Sequence, residues 1–340
     1  MAELYGKVLT LADFRKQLTP TGDVARVAKI LEQSNELDAY LPLVEANGGF
    51  NHTESIEAGL PEVFYISINQ GAPPSKAVTA QVTEGLSILT GRSVVHKELV
   101  IDPRKRAAMR AYQADRTIAA MGQRDARTTI YGNPKVDPKE FAGLSVRYSS
   151  LAEANAQNII DGGGTNELTS MWLVGLHQDT IFGLYPMGAA ATMGIERTNH
   201  DLIQIQDPNA ALGTYMDVYA ESFARRKGLC VKNWRYGVRI ANIDTGDLLA
   251  TSGTQATSAA TGLLRLMARA IEKPPKEGGS AVKYVWLGNR TLLTGLRLMA
   301  IEKQSGVLSV EEANGTFKYS AFGYPLLQMD QILNTESQVV

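Results

Sequence analysis

An α+β architecture follows from three features of this 340-residue chain. A long two-limbed β segment occupies Asn51–Val95, and it feeds directly into a solitary basic helix that ends near Tyr131. Beyond that helix, short strand and helix patterns mix without the regular βαβ alternation of a doubly wound sheet. No internal repeat and no low-complexity stretch interrupts the pattern.

The first fifty residues read as an arm. Thr10–Leu18 and Asp23–Gln33 have the spacing of short amphipathic helices, with Val24, Val27, Ala28 and Leu31 on one face of the second. Asp23 is placed to cap it, Pro20 separates the two, and Gly48-Gly49 releases the chain into the β segment. There, Val63–Ile68 and the alternating run Val78, Ala80, Val82, Glu84, Leu86, Ile88 flank a Gly71-Ala72-Pro73-Pro74-Ser75 turn. The return limb is apolar on one face and polar on the other, so it seeks a cover. A hairpin of this size is marginal alone in water. Its cover is expected from a neighbouring subunit.

The helix that follows has clear ends. Asp102 can cap it, Pro103 suits the first helical position, and Gly132 with Pro134 supplies the stop. A helix of this extent is roughly 43 Å long at the usual rise. Ala107, Ala111, Ala114, Ile118 and Met121 form a narrow seam, while Arg104, Lys105, Arg106, Arg110, Arg116, Arg124 and Arg127 make the remainder basic. Further on, strands are expected at Leu168–Leu176, Thr180–Tyr185, Asp201–Ile205, Met216–Phe223, Asn233–Asp244, Val282–Leu287 and Phe317–Leu327. Helices are expected at Ser258–Ile271 and Arg290–Lys303.

Bulk properties exclude several classes. Hydrophobic content of 44% with 20% charge describes a globular chain. A formal net charge of -1 gives no overall basic excess of the kind a dedicated nucleic-acid binder carries. Cys230 is the single cysteine, so an internal disulfide is impossible, and a buried apolar role with folding in a reducing cytoplasm is expected. The first residues lack the basic start and apolar core of a signal peptide, and no run is long enough to span a bilayer.

Catalytic chemistry is nearly absent from the sequence. His52, His96, His177 and His200 show no metal-ligand spacing, which makes a zinc site improbable. His177-Gln178-Asp179 and His200-Asp201 set a base near a carboxylate, but adjacent strand residues point to opposite faces. Gly162-Gly163-Gly164-Thr165 lacks the lysine of a phosphate loop, and Gly183–Gly194 lacks the order of a dinucleotide turn; both read as connectors. Asn51-His52-Thr53 and Asn314-Gly315-Thr316 match a glycosylation pattern without a secretory signal to support it. Arg225-Arg226-Lys227, with Arg235 and Arg239 beside Trp234 and Tyr236, reads better as ion pairs or a solvated face than as a nucleic-acid platform. No cofactor or metal is expected.

An arm, a large hairpin, one long helix and a mixed region closing on a strand occur in recognisable order. The order resembles the major capsid proteins of tailed double-stranded DNA phages with the Hong Kong 97-type fold. GLPEV, NQGAPPSKAVTAQVTE, TTIYGN and FAGL, with NIIDGGGTNELTSMWLV and NWRYGVRIANID, are similar to the short-tailed-phage branch typified by epsilon-15. The resemblance covers nearly the whole chain.

It implies residues 1–50 as arm, 51–82 as extended loop and 83–144 as peripheral domain with a spine helix at 102–131. It further implies an axial domain over 145–330, with some strands returning to the peripheral domain, and a tail at 331–340. Pentamers and hexamers of an icosahedral head enclosing double-stranded DNA are the implied assembly, built in the host cytoplasm without a membrane. Pro73, Pro74, Ser75, Lys76, Arg104 and Arg110 are the implied intersubunit contacts. Fewer than about fifty residues precede the hairpin, so a separate scaffolding protein, or none, is expected. A portal and a cementing protein are further implied partners, and packaged DNA is touched nonspecifically. Lys76 is the only lysine near the turn, but no asparagine and glutamate can be matched for a covalent weld, so a noncovalent shell is expected. An encapsulin-like shell around protein cargo is the alternative, followed by an enzyme with an unrecognised site in 145–330.

Overall fold

The computed structural model describes residues 33, 35–152, 155–188, 194–206, 214–248, 254–275, 282–301, 308–313 and 316–340. The two expected amphipathic helices of the arm fall outside them, apart from Gln33. The chain divides into two compact units, one containing 88–125 and 191–226, the other 34–87, 126–190 and 227–340.

The second unit is organised by strand β6 (Leu168–Leu176), in which all nine residues are buried. Such a strand needs apolar cover on both faces and neighbours on both edges. β1 (Leu43–Glu45), β2 (Asn51–Gly59), β3 (Val78–Gly85), β4 (Ser87–His96) and β5 (Ile159–Asp161) precede it in the chain. β7 (Ile181–Tyr185), β8 (Glu196–Gln206), β9 (Tyr215–Val231), β10 (Gly237–Asp244) and β11 (Lys283–Gly288) follow it. β10 and β11 flank β6, both antiparallel to it. β5 adds to β10 in parallel, and β14 (Tyr324–Gln328) adds to β11 in parallel. β7 carries β1 on one edge and the end of β9 on the other.

Period-two alternation sorts β6 between two cores. Trp172, Val174 and Leu176 join Ile130, Phe141, Leu144, Tyr148 and the carboxy-terminal Met329, Ile332 and Val339. Met171 and Leu173 join Leu263, Met267 and Ala270 of α4 (Thr254–Ile271), with Leu292 and Leu296 of α5 (Arg290–Ile301). Helices α1 (Pro103–Tyr131), α2 (Leu144–Arg147) and α3 (Thr245–Leu248) precede these two. Asn289 caps α5, accepting the Leu292 amide at 2.9 Å while its own amide donates to Thr169 Oγ1. A bulge between Ile240 and Ile243, with Asn242 at φ 55°, returns Ile243 to the helix-covered face.

In the first unit, β8 and β9 pair antiparallel with a bulge between Asn199 and Leu202. β4 lies beside β9 in the sheet order. Met109 of α1 packs with Val95 and Val100, while Ala114 and Met121 pack with Phe223. Arg225 pairs with Asp125 at 2.8 Å, and Arg226 with Glu196 at 2.8 Å. By residue number, both α1 and β9 contribute to each unit.

Several expectations change. Phe317–Leu327 is a hairpin: β13 (Thr316–Ala321) turns back into β14 through Phe322-Gly323, both at positive φ as a type I′ turn requires. β12 (Leu308–Ala313), which was not expected, pairs with β13. Within the expected arm, residues 35–46 are docked: Leu37 and Leu41 enter the core and β1 extends the sheet. In the α1 seam, Ala107, Ala111 and Ile118 are exposed, whereas Met109, Ala114 and Met121 are buried. The triple glycine is a seat instead of a loose connector. Gly162 and Gly164 donate to the carbonyls of Ala241 and Asn242 at 2.8 Å, and a Cβ on Gly162 would sit 2.7 Å from the Asn242 oxygen. Among the described residues, no helix is long and apolar enough to cross a membrane.

The carboxy-terminal segment is latched by Glu336. Its buried carboxylate accepts from Arg239 Nη2 at 2.8 Å, and from Ser170 and Tyr131. Removing one partner of a buried pair strands the other. Glu336→Ala should therefore lower unfolding free energy by ~3–5 kcal/mol in denaturant titration, because Arg239 would remain buried and unpaired.

Candidate assembly surface

The surface begins at the hairpin. β2 and β3 pair antiparallel from Asn51↔Gly85 to Gly59↔Val78, with Thr53 and Thr83 hydroxyls 3.1 Å apart across the ladder. The ladder stops there, so the expected limb Val63–Ile68 is not a strand. Pro61 interrupts one side and Pro73-Pro74 the other, and neither can donate to a ladder. The turn also lies elsewhere than expected: Gln70 N–H donates to Ser67 O at 3.1 Å, and Asn69 takes φ 71°. Pro73, Pro74, Ser75 and Lys76 are on the return limb and exposed, with Ser75 Oγ donating to Glu62 O at 2.6 Å to join the limbs.

This projecting segment is apolar and uncovered. Leu60, Val63, Phe64, Tyr65, Ile66 and Ile68 are all exposed, Val63 at 90% and Ile68 at 94%. Scattered surface apolar residues need no explanation, but six within nine consecutive positions mark an interaction surface.

The root is anchored by polar groups. Arg147 reaches Glu84 with two bonds of 2.6 and 2.7 Å and also donates to the carbonyls of Ala142 and Leu229. His52 lies edge-on to Phe182, its Nδ1 accepts the Asn47 amide at 3.2 Å, and its Nε2 faces Glu54 at 3.0 Å. Lys232 bridges Glu54 at 3.4 Å and Asp179 at 3.3 Å. Burial pulls Lys232 down, but bonds to Asp179 and Glu54 outweigh it and hold the amine above its ordinary value. A groove of about 550 Å³ runs beside the root, between Ser55–Leu60 and Asp179 with Lys232–Arg235.

The remaining sequence candidates are dispersed. Arg110 is spent within its own unit: it meets Glu221 at 2.8 Å, and its guanidinium lies 5.5 Å from the Tyr219 ring centre. Arg104 lies in the first turn of α1, and its side chain is outside the described part. The basic cluster resolves into ion pairs, with Lys227 on Asp38 at 2.6 Å. His96 and His177 accept backbone amides of Glu98 and Asp179, and His200 bonds Ser222 Oγ at 2.9 Å. The described residues contain no group of three or more His, Cys, Asp or Glu side chains that could hold a metal. The hairpin root is what the sequence reading missed. Its signal was the pair of ionisable residues, His52 and Glu84, in otherwise solvent-facing strands.

The family model for major capsid protein GP7 matches residues 19–340. A chain of the near-atomic structure of bacteriophage Epsilon15 is similar at 25% identity and a TM-score of 0.75, covering 100% of this chain and 99% of that one. More distant are Microbacterium phage Oxtober96, at 11% identity and TM-score 0.41 over 68% of this chain and 98% of that one, and the holo-SrpI encapsulin of Synechococcus elongatus. The encapsulin matches at 11% identity and TM-score 0.43 over 69% of this chain and 96% of that one. No curated protein sequence matches.

Cys230 is buried, and desolvation pushes its thiol up to about 12. A thiol reagent at pH 8 should modify essentially none of the native protein and one group per chain after denaturation, read as absorbance of the released chromophore.

Proposed function

The chain belongs to the family of major capsid protein GP7, and on that premise we propose that it closes its buried surface by laying the hairpin on an adjacent copy within pentamers and hexamers of an icosahedral head. Its role as a structural phage capsid protein follows from the family match and from the likeness to Epsilon15 over the full chain. The observation that carries the packing proposal is the apolar stretch Leu60–Ile68, which its own fold leaves in water. Pro73, Pro74, Ser75 and Lys76, on the opposite limb of the same loop, are the proposed contact residues, with Arg104 in the first turn of the spine helix. Arg110 acts instead within the subunit, holding β8 and β9 to α1 through Glu221.

The head would enclose double-stranded DNA and be assembled in the host cytoplasm, with scaffolding, portal and cementing proteins as proposed partners. Nothing in the described geometry favours the encapsulin or enzyme reading over this one, and we read the chain as non-catalytic. In the proposed domain scheme residues 83–144 are the peripheral domain, with the spine helix at 102–131, and residues 145–330 are the axial domain, with some strands returning to the peripheral domain.

Replacing Leu60–Ala77 by a short turn should leave a folded subunit with a little-changed unfolding midpoint but no closed shells by electron microscopy. Intact shells from that variant would contradict the proposal. The shell is noncovalent in this reading, so boiling particles in detergent should give one band at 36.9 kDa, and a ladder of multimers would refute it.

A further inference from the structure

Two facing residues are the buried anchors of the hairpin's strands. In β2 and β3 the buried residues are His52 and Glu84, and the register sets them directly opposite each other. All the other residues of the two strands are exposed or half-buried. A structural hairpin is ordinarily held by an apolar face, yet the buried rung of this one is made of two ionisable side chains, with the Lys232–Glu54 pair beside it. That choice has a physical consequence. Apolar contact is non-directional and tolerates sliding, whereas a guanidinium meeting a carboxylate with two parallel bonds fixes angle as well as distance.

The receiving side is built to be rigid. Arg147 ends α2, and its neighbours Leu144 and Tyr148 are fully in the core. Its guanidinium is oriented by the carbonyls of Ala142 and Leu229 in addition to Glu84, so it joins the hairpin to the segment before α2 and to β9. Next to the rung the hairpin backbone comes very close to β9. A Cβ on Gly228 would lie 3.0 Å from Gly85 O and 3.3 Å from Leu86 Cγ. A lysine at position 147 would keep the charge but lose the fork, and a carboxylate there could not donate to either carbonyl.

We infer that Glu84 and Arg147 form an aiming clamp: a positioning pair that sets the direction in which the hairpin projects and thereby decides whether its apolar loop meets the next copy. This rests on the proposed role of the hairpin in assembly. The clamp does not create the contact surface, which lies far along the loop at Leu60–Ile68; it presents that surface at one angle.

The test reads hairpin direction separately from assembly. Full-length chain carrying Thr79→Cys and Lys139→Cys, both exposed positions, is spin-labelled, with Cys230 protected by burial, and diluted in excess unlabelled chain so that only intrachain distances are measured. The unsubstituted clamp should give one narrow distance distribution. Glu84→Gln and Arg147→Lys should each broaden it and reduce shell yield by at least tenfold in chain that is still folded, with the unfolding midpoint lowered by no more than the loss of one intrachain charge-assisted bond accounts for. Gly228→Ala, which keeps the ion pair but pushes the root, should shift the mean distance without broadening. An unchanged distribution in Glu84→Gln and Arg147→Lys would overturn the clamp while leaving the hairpin's role in assembly intact. Broadening with normal shell yield would overturn the aiming role, and so would broadening that appears only together with a collapse of the unfolding midpoint. Failure of the assembly reading itself would show separately, as shells formed without residues 60–77.

Discussion

A strand buried on both faces and both edges dictates how the rest of this subunit is arranged. β6 carries nine consecutive buried residues, and a chain containing such a strand must supply two independent apolar layers. α4 and α5 supply one, while the end of α1, the Phe141–Tyr148 segment and the last dozen residues supply the other. The carboxy terminus is thereby committed to the core through Met329, Ile332 and Val339. Its backbone is held by Asn242, whose side chain exchanges two bonds of 2.9 Å with Val339. Among the described residues these layers leave the loop Leu60–Ile68 exposed, and the root of the hairpin is tied down by ion pairs together with the His52–Phe182 contact.

That use of charge extends through the molecule. Glu221 is 3% exposed and is met by both Arg110 and Arg197; Lys227 is equally buried and meets Asp38. Buried ion pairs add little net stability compared with well-packed apolar residues, because desolvation offsets most of the attraction. They do penalise every arrangement that separates the partners. For a subunit that must repeat one geometry many times, a penalty on misplacement matters more than a gain in stability. The basic residues that a sequence reader would assign to nucleic acid are, in this structure, largely consumed in holding strands and helices at set angles.

Elements whose pattern is dictated by local chemistry were legible in the sequence. Pro103 and Gly132 bracket α1 as anticipated, and Gly132 is required there because a Cβ would lie 2.3 Å from the Phe141 carbonyl. The apolar Met171–Val174 run within β6 and the helical spacing of α4 were equally plain. What escaped had a non-local cause or an ambiguous signal. Alanine counts as apolar yet buries little, so Ala107 and Ala111 drew the expected stripe of α1 off its buried line; Ala114 and Met121 were placed correctly, while Met109 was overlooked. The run Val63–Ile68 has strand-like residues, but the prolines facing it across the loop deny it a ladder. The β13–β14 turn uses Phe322-Gly323 instead of the usual Asn-Gly or Asp-Gly pair, so one strand was expected where two exist. The hairpin rung escaped because a histidine and a glutamate in polar strands look like solvent-facing residues until their partners on α2, β7 and the Asn47 turn are known.

A hairpin aimed by charge and tipped with apolar residues also explains how a modest contact can support a closed container. Covering one large apolar side chain contributes ~1.5–3 kcal/mol, whereas docking two proteins costs ~4–15 kcal/mol in lost freedom and ordering. A loop offering six such side chains is therefore near balance in a single encounter, and an isolated pair of subunits gains little by associating through it. In the proposed shell each copy would both give a hairpin and receive one, so later contacts would form within an object already assembled and cost less freedom. The same marginality permits misplaced subunits to leave before closure. Angular precision then becomes the limiting quantity, because a hairpin that wanders must be ordered at every joint. A directional polar root lowers that cost in advance, which is why a rung of Glu84 and His52 serves this subunit better than a greasier one would.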